Sequence, residues 1–201
     1  MPENKEKKNS NAGDQSLAAK LFEYVEMFVF AAIFVVLLMT LGLRLCVVSG
    51  TSMNNTLLNG ERLVISNLFY TPKQGDVIVF HQTSDTDEQF NEPIVKRVIA
   101  TGGQFVKVDD IQHKVYVSDD DVFTEDEVLP EPYIIVGAPH YAAIEGISPI
   151  EVYQVPEGHL FVMGDNRPVS ADSRYHEVSF VDQRRVLGKV LFRLMPFTVF
   201  A

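Results

Sequence analysis

The chain has 201 residues, 46% of them hydrophobic, and its 27 acidic and 17 basic side chains give a net charge of -10. This length allows one domain or slightly more. The acidic balance argues against a nucleic-acid partner, because phosphate binding requires clustered Lys and Arg. The single cysteine, Cys46, cannot form an internal disulfide or supply a cysteine-based zinc cluster.

The N-terminal quarter predicts a membrane segment. Residues 27–43 are seventeen residues without a charge, and after Arg44 the apolar character continues to Val48. As a helix, residues 27–48 would be roughly 33 Å long, enough to cross a bilayer core of ~30 Å. We therefore expect a single transmembrane helix over residues 21–48. A cleaved secretory signal is the alternative, but its leading region would be long and acidic, and no Ala-x-Ala site follows.

The charges on either side of this segment predict its orientation. The basic residues before it are Lys5, Lys7, Lys8 and Lys20. Only Arg44 and Arg62 are found in a comparable stretch after it. The positive-inside rule then places the N-terminus in the cytoplasm and residues 49–201 outside the cell membrane. The polar composition of residues 1–20 predicts a disordered cytoplasmic tail.

The remainder of the chain predicts a mostly β fold. Short apolar or alternating runs are separated by Gly, Asn, Asp and Pro, which is typical of strands joined by turns. These runs are residues 62–66, 76–80, 93–100, 105–108, 114–117, 159–163 and 186–194. Residues 82–92 and 118–131 are predicted to be surface loops. The second is strongly acidic, but its consecutive acids do not match the spacing of an EF-hand, which favours a solvated loop over a calcium site.

Lys96 is the first candidate for chemistry. In a strand over residues 93–100, alternate side chains share a face, so Lys96 is placed between Ile94 and Val98. Burial there would lower the pKa of the lysine, and a neutral amine is a good general base for activating a serine. The alternative is a lysine that reaches solvent from the strand edge or pairs with an acid. The strand pattern leaves both open.

Candidate nucleophiles lie directly after the predicted membrane segment. Ser49, Thr51 and Ser52 surround Gly50, whose lack of a side chain lets backbone N–H groups approach a substrate. Composition does not choose among the three hydroxyls. Histidines could also serve a serine as base, among them His81 and His159, but no local pattern singles one out.

A third cluster, residues 164–174, follows an apolar strand and contains two carboxylates and two guanidinium groups. Such groups are suited to a buried network of ion pairs and hydrogen bonds. A solvated turn is the alternative.

Four motifs occur in a fixed order after the apolar N-terminal segment. They are SGTSMNNTL at residues 49–57, GDVIVF at 75–80, VKRV at 95–98, and GDNRPVSADSR at 164–174. Together they resemble type I signal peptidases, the membrane-bound serine proteases that remove signal peptides from exported proteins. The single anchor and the short chain resemble the Gram-positive form. The resemblance covers residues 20–195.

The resemblance implies roles for individual residues. Ser52 matches the nucleophile, Lys96 the general base, and Ser170 a hydroxyl that bonds and orients the lysine. Supporting positions that match the family are Gly50, Met53, Asp165, Asn166, Arg167, Asp172 and Arg174. Asp172 and Arg174 are expected to form an ion pair. The mechanism would need neither a metal nor another cofactor.

The resemblance also implies a fold, substrates and a location. The fold is a β-sheet or partial-barrel catalytic domain over residues 49–108 and 156–201, with a smaller subdomain inserted at 109–155. The substrates are signal peptides cut after small residues in an Ala-x-Ala pattern. The partners are the preproteins and the lipid bilayer of the cell membrane, near the secretion translocon.

Two positions depart from the family pattern. Asn55 stands where proline is usual, and Gly50 where some members have a serine that helps bind the oxyanion. One alternative function is a non-catalytic, peptidase-like accessory or dedicated processing factor for exported subunits such as pilins, and we would expect a non-catalytic protein to have lost Ser52 or Lys96. A self-cleaving repressor would need a DNA-binding helix-turn-helix instead of the anchor.

Overall fold

The computed structural model describes residues 7–82, 92–135, 148–176 and 178–200. It divides the chain into two units, residues 1–42 and 43–201. The first contains helix α1 (Lys7–Leu41). Within the described residues, no helix combines the length and the apolarity needed to cross a membrane. The expected transmembrane helix is therefore not confirmed.

The N-terminal tail differs from the expectation of disorder. Helix α1 includes residues 7–20, while residues 1–6 lie outside the described part. The physical reason lies in residues 17–20, because the sequence Leu-Ala-Ala-Lys has high helix propensity and continues directly into the apolar run.

The C-terminal end of the predicted helix is also wrong. Helix α1 ends at Leu41, and the chain then forms strand β1 (Leu43–Val47) rather than continuing as a helix to Val48. Strand β1 pairs antiparallel with β2 (Arg62–Ser66) along its whole length. This ladder satisfies the backbone groups that helical bonds would have used, and it suits a segment that ends in the β-branched residue Val47.

The expected strands are confirmed, with ends that differ by one residue at most. The remaining strands are β3 (Val77–His81), β4 (Pro93–Thr101), β5 (Phe105–Asp109), β6 (Lys114–Ser118), β7 (Ile150–Gln154), β8 (His159–Met163), β9 (Val181–Asp182), β10 (Val186–Arg193) and β11 (Thr198–Val199). Three of them (β7, β9 and β11) were not anticipated. The described part of residues 43–201 is mostly β, as predicted.

The strands form two antiparallel sheets. The larger has the order β1-β2-β10-β3-β4-β8-β9, with β11 paired to β10, and it curls into a half-barrel. The smaller has the order β6-β5-β7. It begins at Phe105, four residues before the insertion expected at 109–155, because β5 follows β4 after a tight turn. Apolar side chains from both sheets, among them Ile99 and Phe161 of the larger and Val106 of the smaller, share one buried cluster.

Candidate active site

Strand β4 holds Lys96 inside the larger sheet. Its backbone is in register with Ile78 of β3, and only 3% of the lysine is exposed. Its Nζ donates a hydrogen bond to Ser52 Oγ at 2.7 Å. Burial lowers the pKa of Lys96 from 10.5 to about 8, even though the carboxylate of Asp172 favours the charged form. The amine is thus largely dehydrated and touches a hydroxyl.

The turn that carries Ser52 is held in place by buried apolar side chains. Met53 is 1% exposed, and together with Leu57 it packs in a buried cluster that includes residues of β2 and β3. Leu57 N–H donates to Met53 O at 2.8 Å. Of the three hydroxyls left open by the sequence, Ser52 is the one bonded to Lys96, whereas Ser49 and Thr51 are exposed.

Gly50 and Asn55 adopt backbone angles that explain their identities. Gly50 has φ +91° and its N–H donates to Asn59 Oδ1 at 3.0 Å. Asn55 has φ +87°, which proline cannot adopt because its ring fixes φ near −65°. The turn is closed instead by Thr56, whose N–H donates to Met53 O at 3.1 Å and whose hydroxyl donates to Asp165.

The loop of residues 164–174, which we call the catalytic loop, contacts the Ser52 turn directly. Asn166 N–H donates to Ser52 O at 3.0 Å, and its side-chain amide donates to Thr51 O at 3.0 Å. Gly164 lies so close to Ser52 O that any side chain there would collide with it. The predicted cluster is thus a scaffold that fixes the main chain of the candidate nucleophile.

The expected ion pair between Asp172 and Arg174 is present and fully buried. Both carboxylate oxygens accept from the guanidinium at 2.7 Å, and Asp172 also accepts from Gly164 N–H at 2.9 Å. Burial alone would raise the pKa of Asp172, but the Arg174 guanidinium outweighs it and holds that pKa below its usual value. The carboxylate therefore stays charged inside the protein.

Two further ion pairs fix the catalytic loop, and the sequence analysis did not identify one residue of each pair. Asp165 accepts from Arg97 at 2.9 and 2.7 Å. Arg167 forms a two-pronged pair with Glu131, with one bond of 3.0 Å. The position of Arg97 beside Lys96 in the strand was an available signal. Glu131 had none, because it lies 36 residues away from Arg167.

Glu131 also corrects the expectation of a uniformly solvated acidic loop at residues 118–131. Its side chain is only 6% exposed, whereas Asp119, Asp120 and Asp121 are exposed as predicted. The guanidinium of Arg167 supplies the counter-charge without which burial of this one acid would be strongly unfavourable.

Ser170 does not make the hydrogen bond that the resemblance implies. It is fully buried in the catalytic loop, and its hydroxyl interacts with Asp172, where it helps to hold the pKa of that carboxylate below its usual value. Lys96 Nζ instead bonds Ser52 Oγ, while Ser170 Oγ packs so tightly against Gly164 that a side chain at that glycine would collide with it.

A cleft of about 760 Å³ opens over Ser52 and Lys96. Residues 46–52 line one side of it and residues 92–96 line another, with Val169 and Ala171 also contributing. Two extended backbones and short aliphatic side chains give it the shape and polarity to take an extended peptide. Of the described residues, neither His81 nor His159 lines it, whereas Lys96 does.

Comparison with known proteins agrees with this geometry. Residues 21–195 match the model of a family described as signal peptidase, peptidase S26. The chain belongs to this family of serine hydrolases. It is 33% identical over 185 residues to signal peptidase I of Bacillus licheniformis, covering 88% of this chain and 90% of that one. It is also 36% identical over 151 residues to a probable signal peptidase I-1 of Synechocystis, covering 72% and 67%, and 31% identical over 166 residues to signal peptidase IB of Staphylococcus aureus, covering 76% and 78%.

The backbone of Asn55 leads to a testable prediction. Replacing Asn55 with proline should lower the free energy of unfolding by more than ~1 kcal/mol, because φ +87° is closed to proline. It should also reduce peptide cleavage by about 10²-fold, since the turn carries Ser52. Asn55→Gly is the matched control and should stay within about twofold of wild type, because glycine accepts this angle. Thermal unfolding and cleavage rates measure both. An Asn55→Pro protein as stable and active as wild type would show that the turn angle is wrong.

Proposed function

We propose that this chain is a signal peptidase I that cleaves signal peptides from exported preproteins with Ser52 as nucleophile and Lys96 as general base. The observation that carries the proposal is the 2.7 Å contact between the buried Lys96 Nζ and Ser52 Oγ. A pKa near 8 leaves about one lysine in ten neutral at pH 7, which suits an amine that must accept a proton at neutral pH.

The proposed reaction passes through an acyl-enzyme. Neutral Lys96 accepts the Ser52 proton as Oγ attacks the scissile carbonyl, and the resulting ammonium then protonates the leaving amine. That proton transfer restores the neutral amine. Lys96 next accepts a proton from water, which attacks the ester, and returns that proton to Ser52 Oγ as the C–Oγ bond breaks and the signal peptide leaves. One amine thereby takes the part that histidine plays in a Ser-His-Asp triad.

The oxyanion formed in this reaction needs donors near Ser52. The backbone N–H of Ser52 is the donor favoured by position, and Asn166 restrains the same residue because its own N–H donates to Ser52 O at 3.0 Å. Gly50 offers no side-chain hydroxyl. Since one oxyanion donor is typically worth about 2.7–4 kcal/mol, the rigidity of this turn would contribute directly to the rate.

The cleft supports recognition of an extended peptide with small side chains. A substrate strand between residues 46–52 and 92–96 could bond both backbones, and its alternate side chains would meet the walls of the cleft. Val79 and Ile94 are among the residues that line the cleft, and their side chains are branched. We infer a preference for small residues such as alanine before the cut, in the Ala-x-Ala pattern.

Replacing either member of the dyad tests the proposal. Ser52→Ala and Lys96→Ala should each reduce cleavage of an Ala-x-Ala preprotein, with the full chain in detergent, by at least ~10³-fold. Ser148→Ala and Lys114→Ala are matched controls in the smaller sheet or beside it, and neither residue lines the cleft. They should leave the rate unchanged. Full activity in either dyad variant would exclude the proposed mechanism.

We further propose that residues 27–43 anchor the chain in the cell membrane. The run has no charge, and its helical part, residues 27–41, carries exposed aromatic side chains, among them Phe28, Phe30 and Phe34. Exposed apolar side chains in such number are typical of a surface that contacts a partner or a membrane. With the N-terminus in the cytoplasm, residues 49–201 would face the outside, where preproteins leave the translocon.

Membrane fractionation tests the anchor. The full chain should stay with membranes after an alkaline carbonate wash and leave them only in detergent. In right-side-out vesicles, an added protease should degrade residues 49–201 without detergent. Release by carbonate would contradict the anchor, and protection of these residues would contradict the orientation.

A further inference from the structure

Residues 131–133 of the segment between β6 and β7, which we call the clasp, contact both cations that hold the catalytic loop. Both carboxylate oxygens of Glu131 accept from Arg167. The ring of Tyr133 lies 3.9 Å below the guanidinium of Arg97, within the range of a cation–π contact. The hydroxyl of Tyr133 also donates a hydrogen bond to Glu131 at 3.2 Å, so Tyr133 contacts both Arg97 and the partner of Arg167.

These two cations fix the residues on either side of Asn166. Arg97 binds the carboxylate of Asp165, and Arg167 Nε donates to Gly164 O at 3.1 Å. Asn166 lies between them and donates its N–H to Ser52 O. The clasp is therefore connected to the candidate nucleophile through side-chain pairs and one short stretch of backbone.

Glu131 supplies the counter-charge of a fully buried guanidinium. Arg167 is fully buried, and Glu131 is the carboxylate that it binds. A buried guanidinium that loses its counter-charge is strongly destabilised and tends to recruit water. Hydration of Arg167 would require the catalytic loop to move, and Asn166 would move with it.

We propose that Glu131 is a positioning residue for the cleavage reaction: through Arg167 it holds the catalytic loop in the place where Asn166 fixes the Ser52 turn, and Tyr133 supports it through Arg97. The proposal rests on the proposed role of Ser52. It makes the rate of acyl transfer depend on a segment next to the smaller sheet, although neither clasp side chain lines the cleft.

The test measures kcat and KM of the full chain in detergent with an Ala-x-Ala peptide, alongside thermal unfolding. Glu131→Gln keeps the size of the side chain and removes its charge. It should lower kcat at least about tenfold, because the turn is misplaced, and leave KM within about twofold, because the cleft walls are intact. Glu131→Asp should restore part of kcat. A protein that is folded at the assay temperature and has wild-type kcat would overturn the proposal, and so would a change confined to KM.

Glu125→Gln is the matched control, because Glu125 is an acid of the same segment. It pairs with Lys114, but its side chain is 71% exposed. Its kcat and KM should match those of wild type.

If Glu131→Gln does not fold, Tyr133→Leu serves as the test, since it leaves the Glu131–Arg167 pair in place. A lower kcat at constant KM supports the proposal, and an unchanged kcat overturns it. Ser52→Ala separates the two hypotheses. If it is active, the proposed function fails; if it is inactive while the clasp variants keep full kcat, only the clasp proposal fails.

Discussion

The site depends on one constraint, which is that the Lys96 amine must be kept out of water and pressed against the Ser52 hydroxyl. Its depressed pKa corresponds to about 3 kcal/mol of unfavourable free energy for the ammonium. The sheet tolerates this cost because β4 is paired with β3 at Lys96 and with β8 from Arg97 onward, so the strand that carries the buried lysine is fixed. A lysine at an open edge would extend into solvent and recover its charge. Placing it in an interior strand removes that option.

The charged groups around the lysine serve a different purpose. Asp172 with Arg174, Asp165 with Arg97, and Glu131 with Arg167 are paired closely, so their charges largely cancel at a distance. They fold an irregular loop tightly without placing an unpaired acid beside the amine, which would restore its ordinary pKa. The ion pairs thus fix the position of the catalytic loop, while burial among aliphatic side chains lowers the pKa of the Lys96 amine. The ion pairs do not reverse that lowering.

Seven of the described strands were predictable because their pattern is local, as the run 93–100 illustrates. The apolar neighbours of Lys96 made its burial one of two interpretations that the strand pattern left open, and its contact with Ser52 was not predictable from the pattern, since 44 residues separate them. The resemblance to a family was needed to choose among the hydroxyls near Gly50. Non-local pairing explains the failures: β2 recruits residues 43–47 from the expected helix, and Arg167 buries Glu131 of the acidic loop. Such partners leave no periodic signal in the sequence.

Direct titration of the Lys96 amine tests the central claim most closely. In protein labelled at the lysine ε-carbon and nitrogen, with the signal assigned by its loss in Lys96→Arg, the NMR shift should titrate with a midpoint near 8. Below that pH the amine is increasingly protonated and cannot accept the Ser52 proton, so cleavage should fall with the same midpoint as pH decreases. A midpoint near 10.5, the ordinary lysine value, would show that the amine is hydrated and would contradict the account.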